Sequence, residues 1–234
     1  MYEGIQELEK MARAVNYNHW LFSQAEPFLG KRVLEIGCGI GEYVRLASKP
    51  DRHIMGIELD AGCLSMAQSR LSDIRNALLV QGNICTHGTV QEAKDFSPDS
   101  AYCFNVLEHI EDDRSALKNI ARILGREAPL ILIVPAFPCL YGANDKLVGH
   151  YRRYTKADLS EKLTDAGFII ERAYYLNSIG FVAWFVINRM LRQEKQSNSQ
   201  IDVYDRFMIP VLRRMEGFWT PPFGQSLVMV AKCK

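Results

Sequence analysis

The chain has 234 residues, a length that fits one large α/β domain or two small ones, and we expect one core that carries an insertion. Its 28 Lys and Arg residues balance 27 Asp and Glu residues, which leaves a formal net charge of +1 at pH 7. This balance excludes a strong overall field toward nucleic acid or anionic membranes, so we expect no nucleic-acid partner.

The cysteines and the apolar segments indicate the cellular compartment of the protein. No cysteine forms a CxxC pair, and all stand in apolar stretches, at positions 38, 63, 85, 103, 139 and 233. This pattern is typical of reduced core residues in a cytoplasmic protein, so we expect neither disulfides nor metal ligands. The N-terminus lacks the features of a secretion signal. The most apolar stretch, 179–187, is shorter than the roughly 20 residues that span a bilayer, so we expect no transmembrane helix.

Apolar runs typical of strands alternate with amphipathic runs typical of helices. The first five predicted strands are 32–36, 54–58, 77–81, 100–105 and 130–134, and the predicted helices among them are 42–48, 61–71 and 112–124. Continuous apolar strands joined by single helices are typical of a parallel sheet that is buried on both faces. The sequence therefore predicts an α/β protein with a doubly wound, mostly parallel sheet.

The chain after Pro135 predicts a less regular second part. A long, turn-rich segment runs to Tyr154, and such a loop is more often functional than idle. The predicted elements that follow are a helix at 156–165, a strand at 168–176, helical stretches at 178–192 and 202–219, and a last strand at 226–233. Pro210 is expected to kink or break the second helical stretch. We interpret 178–222 as a helical insertion before the last strand.

Three glycines stand on alternate positions directly after the first predicted strand, in "VLEIGCGIGEY" at 33–43. Glycine lets a strand-to-helix turn adopt positive φ, and it lets a ligand approach the main chain without a Cβ in the way. In doubly wound sheets, ligands lie beyond the carboxyl ends of the strands, where this turn is expected. The pattern therefore predicts a ligand site rather than a bare turn.

The residues around the glycines favour a nucleoside cofactor that carries positive charge. A dinucleotide-binding turn reads G-x-G-x-x-G and holds a pyrophosphate, whereas this chain reads G-x-G-x-G followed at once by Glu42. Glu42 and Glu35 would both repel a phosphate. Glu58 ends the second predicted strand, 23 residues after Glu35, which is close to the usual offset of a carboxylate that binds ribose hydroxyls. S-adenosylmethionine has a sulfonium, an ammonium and no phosphate, and it fits these charges; NAD is the alternative.

These motifs resemble those of the class I S-adenosylmethionine-dependent methyltransferases over residues 30–135. "EIGCGIG" is similar to their first motif, "GIELD" to the second, "QGNI" to the third and "FNVLEHI" to the segment after the fourth strand. The resemblance implies S-adenosylmethionine as cofactor, S-adenosylhomocysteine as product, and a seven-stranded sheet with an antiparallel last strand. The cofactor-binding residues that it implies are Glu35, Gly37, Gly39, Gly41, Glu58, Leu59, Asn83, Ile84, Asn105 and Val106.

Asn83 and the N-terminal segment extend the predicted cofactor site. The family usually has an acidic residue at the position of Asn83, near the adenine amino group, and an amide oxygen can still accept from that amine. The segment "NYNHW" at 16–20 is similar to a helix that covers the methionine end of the cofactor in many relatives. Tyr17 and Trp20 are therefore lid candidates, and the alternative is that both pack this helix on the sheet.

The turn-rich segment after the fifth strand is the predicted acceptor side, because it leaves the same edge of the sheet. "GHYRRY" at 149–154 resembles a stretch in some relatives that act on sugar or lipid-linked acceptors. His150 is the candidate catalytic base, since histidine titrates near neutrality, and Tyr141, His150 and Arg153 are the candidate acceptor contacts. The alternatives are a surface histidine and arginines that hold acidic loops such as the one with Asp145.

The predicted organisation is a single methyltransferase domain. Its parts are an N-terminal helical lid (1–30), a cofactor-binding half (31–135), an acceptor-side loop, helix and strand (136–177), a helical insertion (178–222) and a final strand (223–234). We expect methyl transfer by in-line displacement to a small-molecule, sugar or lipid-linked acceptor. The alternatives are an NAD-dependent oxidoreductase and a non-catalytic S-adenosylmethionine-binding protein. The 178–192 stretch is expected to cover the sheet edge, with an acceptor wall or a membrane-surface contact as alternatives.

Overall fold

The computed structural model describes residues 2–185 and 198–234, and seven strands among these residues form one sheet. The strands are β1 (Arg32–Ile36), β2 (His53–Glu58), β3 (Ala77–Gln81), β4 (Ser100–Phe104), β5 (Pro129–Pro135), β6 (Phe168–Leu176) and β7 (Ser226–Cys233). Their order across the sheet is β3-β2-β1-β4-β5-β7-β6. β1 to β5 pair in parallel, whereas β7 runs antiparallel to both β5 and β6. The predicted fold class, including the antiparallel last strand, is confirmed.

The centre of the sheet determines where a ligand can bind. β2 and β3 lie on one side of β1, and β4 and β5 lie on the other, so the strand order reverses between β1 and β4. In open α/β sheets, this reversal leaves a crevice at the carboxyl ends of the two central strands. Every residue of β4 is buried, as are the last four residues of β1, because helices cover both faces.

Helices connect the strands on both faces of the sheet. They are α1 (Tyr2–Ala12), α2 (Val15–Ala25), α3 (Glu42–Ala47), α4 (Ala61–Arg70), α5 (His87–Phe96), α6 (Asp113–Ile123), α7 (Ala143–Leu147), α8 (Lys156–Asp165), α9 (Ser178–Phe185), α10 (Asn198–Val203) and α11 (Ile209–Phe218). No helix was predicted at α5, because its sequence "HGTVQEAKDF" is mostly polar and only Thr89 and Ala93 are buried. The other predicted helices up to Asp165 agree with the structure to within one residue at each end.

The helical insertion before β7 takes a different path from the one expected at Pro210. A π-helical segment, Tyr204–Met208, joins α10 to α11. Pro210 stands in the first turn of α11, where a missing backbone N–H leaves no bond of that helix unmade. The helical path therefore continues through Pro210 without the break that was one of the two expectations, and the expected kink stays a prediction.

Helix α9 covers part of the sheet edge with one face. Phe181 packs edge to face on Phe137 at 5.2 Å between ring centroids, and Gly180 is buried. Val182 and Phe185 on the other face are exposed. The remainder of the 178–192 stretch, with Arg189 and Arg192, lies outside the described residues. Among the residues that the structure describes, none of the helices has the length and apolarity needed to cross a membrane.

Candidate active site

The glycine turn between β1 and α3 lies at the crevice beside β4. Gly37, Gly39 and Gly41 have φ angles of 74°, 52° and 84°, a region that favours glycine. A Cβ on Gly37 would lie 2.3 Å from Val106 Cγ2, and one on Gly41 would lie 2.6 Å from Leu71 Cδ1. A Cβ on Gly39 would meet nothing closer than a Leu8 methyl at 3.4 Å. Packing thus requires two of the glycines, and Gly39 presents open main chain to a ligand.

Glu58 extends from the end of β2 toward this turn. Its Oε2 accepts a hydrogen bond of 2.8 Å from the Gly39 N–H, and its Oε1 accepts one of 2.9 Å from the Asp60 N–H. The neighbouring Leu59 side chain is 64% exposed. The structure therefore brings the predicted ribose acid and an apolar surface together beside the open glycine.

Glu35 occupies a different environment from the one expected. The sequence suggests a charged acid at a strand end, but the side chain is only 2% exposed and accepts a hydrogen bond of 2.7 Å from the Tyr102 hydroxyl. Burial raises the pKa of Glu35 to about 8, the bond from Tyr102 lowers it, and the nearby charge of Glu58 raises it. Glu35 is thus a neutral acid at pH 7 unless a cation lies beside it.

Glu42 also differs from the expectation. Its carboxylate lies 2.8 Å from the Arg70 guanidinium on α4. Because this ion pair neutralises the carboxylate, Glu42 is a weaker argument against a pyrophosphate than the sequence suggests. The remaining sequence argument against a dinucleotide is that Glu42 stands where the G-x-G-x-x-G pattern has its third glycine.

The segments after β3 and β4 complete the crevice. Asn83 Oδ1 accepts a hydrogen bond of 2.9 Å from the Cys85 N–H, so its second lone pair is the one left for a ligand. Ile84 is buried beneath it. Asn105 is exposed and adopts a positive φ of 52°, and Val106 packs against Gly37. The predicted residues of the third and fourth strand ends therefore lie at the same edge as the glycine turn.

The N-terminal region brings a helix other than the expected one to the crevice. Trp20 is 3% exposed and packs in the core on one face of the sheet. It therefore packs α2 on the sheet, which was the alternative to a lid role. The Tyr17 ring packs on the same core, and its hydroxyl lies 3.4 Å from Ser226 Oγ. In contrast, α1 approaches the glycine turn through Leu8, and its Ile5 lies 3.2 Å from where a Cβ on Gly62 would stand. The helix that approaches the glycine turn is therefore α1 and not α2.

The loop after β5 is held together by a buried acid. Asp145 is 0% exposed, and its Oδ1 lies 2.8 Å from both Arg153 Nε and His150 Nδ1. Burial alone would raise the pKa of Asp145, but hydrogen bonds from His150 and Arg153 hold it below its usual value. Tyr141 donates from its hydroxyl to the backbone oxygen of His150 at 2.7 Å.

This arrangement reassigns one predicted acceptor contact. Arg153 is 5% exposed, and its guanidinium also lies over the Trp184 ring at 5.0 Å. Its burial and the charge match with Asp145 make Arg153 poorly suited to bind an anionic acceptor. The alternative in which an arginine holds the acidic loop is therefore the one that the structure shows.

His150 faces two residues that the sequence did not assign to a site. Its Nε2 lies 3.9 Å from Glu108 Oε1, and its ring lies 4.6 Å from that of His109. Glu108 is 0% exposed, and burial raises its pKa to about 8. His109 is exposed, but desolvation of its ring by the surrounding residues, followed by the nearby His150, lowers its pKa to about 4. The only sequence signal for Glu108 was a carboxylate within the apolar motif "FNVLEHI", just after a strand.

Comparisons with known proteins agree with this geometry. Residues 34–132 match the family model described as "Methyltransferase domain". The O-methyltransferase rstn1 of Aspergillus nomiae is 38% identical over 96 residues, or 41% of this chain and 42% of that protein. The ubiquinone biosynthesis O-methyltransferase of Hahella chejuensis is 33% identical over 94 residues, or 40% of this chain and 39% of that protein. These matches support the resemblance of residues 34–132 to the class I S-adenosylmethionine-dependent methyltransferases.

A solved structure supports the fold over most of the chain. The S-adenosylmethionine-dependent methyltransferase of Mesorhizobium loti superimposes with a TM-score of 0.59 at 16% identity, covering 88% of this chain and 92% of that one. The matched segments span about two fifths of the length of both curated relatives. The comparisons support the predicted family over the cofactor-binding half, and S-adenosylmethionine is the cofactor of that family. The acceptor-side segment lies outside the residues that the family model matches.

Proposed function

We propose that this protein moves the methyl group of S-adenosylmethionine to a hydroxyl oxygen of a small-molecule acceptor. The observation that carries the proposal is the position of His150, held by Asp145, next to the segment that packs on the glycine turn. Both relatives named above are O-methyltransferases, which supports oxygen as the methylated atom. Sugars and lipid-linked alcohols also offer a hydroxyl oxygen as the methyl acceptor, so the proposal includes them.

The residues at the carboxyl ends of β1 to β4 fit the cofactor. Glu58 is suited to accept from ribose hydroxyls, and Leu59, Asn83 and Ile84 lie on the side proposed for the adenine. The open main chain of Gly39 suits the methionine part, and Glu35 is available as a counter-charge if it ionises. When bound, S-adenosylmethionine supplies a methyl group on a positively charged sulfur.

The acceptor-side residues provide two functions for a methyl transfer to oxygen. They place the hydroxyl in line with the carbon–sulfur bond, which requires a rigid loop, and the Asp145 contacts fix that loop. They also assist loss of the hydroxyl proton. In the simplest form of the proposal, His150 Nε2 accepts this proton, because Asp145 occupies Nδ1.

The cofactor part is tested by calorimetric titration of the purified chain with S-adenosylmethionine, S-adenosylhomocysteine and NAD. Micromolar binding of the first two supports the proposal if Gly39→Arg and Glu58→Ala both weaken it. Binding of NAD alone would favour the oxidoreductase alternative. Binding of none of the three would contradict a cofactor site at the glycine turn.

The catalytic part is tested by release of S-adenosylhomocysteine in the presence of a panel of phenols, catechols, sugars and lipid-linked alcohols. With an accepted substrate, His150→Gln is expected to lower kcat by about 100-fold or more, with little change in cofactor affinity. His87→Gln, at an exposed histidine on α5, is the matched control. Cofactor binding without turnover of any hydroxyl compound would favour the non-catalytic alternative.

A further inference from the structure

Glu108 is a buried acid whose carboxyl group receives no hydrogen bond from residues 2–185 or 198–234. Its side chain is 0% exposed, and neither carboxyl oxygen has a hydrogen-bond partner among the residues that the structure describes. An unpaired buried polar group costs about 1–3 kcal/mol, and a charged one costs more. Most buried polar groups are paired in native proteins, so an exception calls for a functional explanation.

Two imidazoles lie next to this acid. His150 Nε2 is 3.9 Å from Glu108 Oε1, and the ring of His109 stands edge to face against that of His150. One ligand atom from each of the three side chains lies within 4.8 Å of the other two. His109 is exposed, so one side of this cluster is open to an incoming molecule.

We propose that Glu108, His109 and His150 bind a divalent transition-metal ion, and that this ion also binds the acceptor oxygen. The first part stands on the geometry of the cluster alone. The second part rests on the proposed methyl transfer to oxygen. The sequence predicts no metal ligands because no two cysteines have metal-ligand spacing, and because His150 comes 41 residues after His109.

Asp145 prepares His150 to act as a ligand. A carboxylate only accepts hydrogen bonds, so the 2.8 Å contact of Asp145 Oδ1 with His150 Nδ1 places the ring proton on Nδ1. The lone pair of Nε2 then points to the side of Glu108. A carboxylate behind a ligating histidine is a common arrangement in metal sites, where it fixes the tautomer and the orientation of the ring.

The donor set indicates the class of metal. Two imidazole nitrogens and one carboxylate oxygen suit Zn²⁺, Mn²⁺, Fe²⁺ or Co²⁺, whereas Mg²⁺ and Ca²⁺ prefer oxygen ligands throughout. Metal–ligand distances of about 2.0–2.2 Å separate neighbouring ligand atoms by roughly 3.0–3.5 Å. The three ligand atoms therefore need to move roughly 1 Å closer to one another when the ion binds. Three protein ligands leave coordination positions for a substrate, as in catalytic zinc sites.

The cluster adjoins the site proposed for the methyl donor. Val106 packs on Gly37, and Glu108 and His109 follow two and three residues later along the chain. A divalent ion polarises a bound hydroxyl and makes its proton easier to lose. The methyl transfer forms the oxygen–carbon bond and breaks the carbon–sulfur bond, the proton passes to solvent, and the oxidation state of the metal does not change. In this arrangement His150 acts on the acceptor through the metal ion that it binds, and it does not itself accept the hydroxyl proton.

The test is a titration of the purified 234-residue chain with CoCl₂ after treatment with EDTA and dialysis. We expect one tightly bound Co²⁺ per chain by metal analysis, with a visible spectrum typical of nitrogen and oxygen ligands. Binding by cysteines would instead add an intense near-ultraviolet band. Glu108→Gln and His150→Gln are expected to weaken Co²⁺ binding by about 10- to 100-fold. His87→Gln is the matched control and is expected to bind as the wild type does.

Calorimetric titration of the same proteins with S-adenosylhomocysteine separates this inference from the proposed function. Loss of Co²⁺ binding with unchanged S-adenosylhomocysteine affinity in the two variants supports the metal site, because the fold is then intact. Unaltered Co²⁺ binding in both variants, or no stoichiometric Co²⁺ in a wild-type protein that binds S-adenosylhomocysteine, overturns it. A protein that binds Co²⁺ through these residues but no S-adenosylhomocysteine would contradict the proposed function and leave the metal site standing.

Discussion

The Tyr102 hydroxyl donates a hydrogen bond of 2.7 Å to the Glu35 carboxyl group, and the two residues pair directly on the neighbouring strands β4 and β1. Both side chains are buried. Burial raises the pKa of Glu35 to about 8 even though the bond from Tyr102 favours the ionised form. The central strand therefore carries a neutral acid, which becomes charged when the pH rises or when a cation comes near.

We expect the ligand-free protein to lose stability as the pH rises from about 4.5 to about 8. Glu35 loses its proton near pH 4.5 in the unfolded chain but keeps it to about 8 in the folded one, so the folded state binds more protons in this window. The stabilisation is fully present below this window and is lost as the pH rises through it. The full shift corresponds to on the order of 5 kcal/mol. Urea unfolding at several pH values across the window measures it.

Glu35→Gln is the matched control for this pH dependence. Glutamine has nearly the same shape and can accept the Tyr102 hydrogen bond, but it does not titrate. We expect a shallower slope in this variant, although not a flat one, because burial also raises the pKa of Glu108 to about 8. Equal slopes in the two proteins would show that Glu35 is not the buried neutral acid that the structure indicates.

Alanine at Gly39 is expected mainly to weaken ligand binding, whereas alanine at Gly37 is expected mainly to lower the stability of the fold. Gly39→Ala adds a methyl group at ordinary van der Waals distance, 3.4 Å, from a Leu8 methyl group and at a φ of 52°, so we expect it to fold with a loss of about 1–2 kcal/mol. It should bind S-adenosylhomocysteine at least about tenfold more weakly, because the methyl group covers the main chain that faces the ligand. Gly37→Ala places a Cβ 2.3 Å from Val106 Cγ2, and we expect the free energy of unfolding to fall by about 2–4 kcal/mol.

Urea unfolding and calorimetry on both variants distinguish packing from ligand binding. The double variant Gly37→Ala/Val106→Ala is expected to recover part of the lost stability, because it removes the methyl groups that clash. Gly88→Ala is the control, since a Cβ there meets nothing within 4 Å and α5 favours alanine over glycine. A Gly37→Ala protein as stable as Gly88→Ala would contradict the packing role of Gly37.

The parts of the fold that the sequence predicts well are those that local signals define. Helix α8 was predicted at its observed bounds because Thr155 caps its start and Gly167, with a φ of 97°, follows its end. The strands β1 to β5 were predicted because each is a continuous apolar run between turn residues. The glycine turn was found because three glycines after a first strand have a specific steric meaning.

The parts that the sequence left open or missed depend on contacts that form only in the folded chain. The sequence left two roles open for Arg153, an acceptor contact and a partner of the acidic loop, and the contact with Asp145 decides between them only when the loop folds. Trp20 and the lid depend on which helix reaches the turn, and neither α1 nor α2 has a motif that decides this. Glu108 belongs to an apolar motif, and its role emerges only when His150 is brought beside it.

The burial of Arg153 leads to a test of its role. Arg153→Met keeps the length and apolar stem of the side chain but leaves Asp145 buried without its cation, so we expect a loss of about 3–5 kcal/mol in the free energy of unfolding. Arg152→Met is the comparison. Arg152 pairs with Asp113 at 2.8 Å. The Arg152→Met protein is expected to lose less stability, because Asp113 still pairs with Lys162 at 2.7 Å and Tyr154 at 2.9 Å. If the Arg153→Met protein has normal stability and a raised KM for an anionic acceptor, Arg153 contacts the acceptor as the sequence predicts.

Asp205 caps helix α2 from 189 residues away in the chain. Its carboxylate accepts from the Tyr17 N–H at 2.8 Å and from the Asn16 N–H at 3.1 Å, and Ala14 at the N-cap position has no side chain to do so. Because an N-cap contributes about 1–2 kcal/mol, we expect Asp205→Ala to lower the free energy of unfolding by that amount. Asp202→Ala, which breaks an exposed pair with Arg13, should lose less than about 1 kcal/mol.

Amide hydrogen exchange distinguishes the capping role of Asp205 from a general loss of stability. If Asp205 caps α2, the Asn16 and Tyr17 amides exchange faster in Asp205→Ala under conditions where the amides of β4 stay protected. Asp205→Asn retains an acceptor oxygen but not the charge that favours a helix N-terminus, so an intermediate effect is expected. Equal exchange at Asn16 and Tyr17 in wild type and Asp205→Ala would mean that water replaces the carboxylate without cost, and that the helical insertion does not stabilise α2 through this contact.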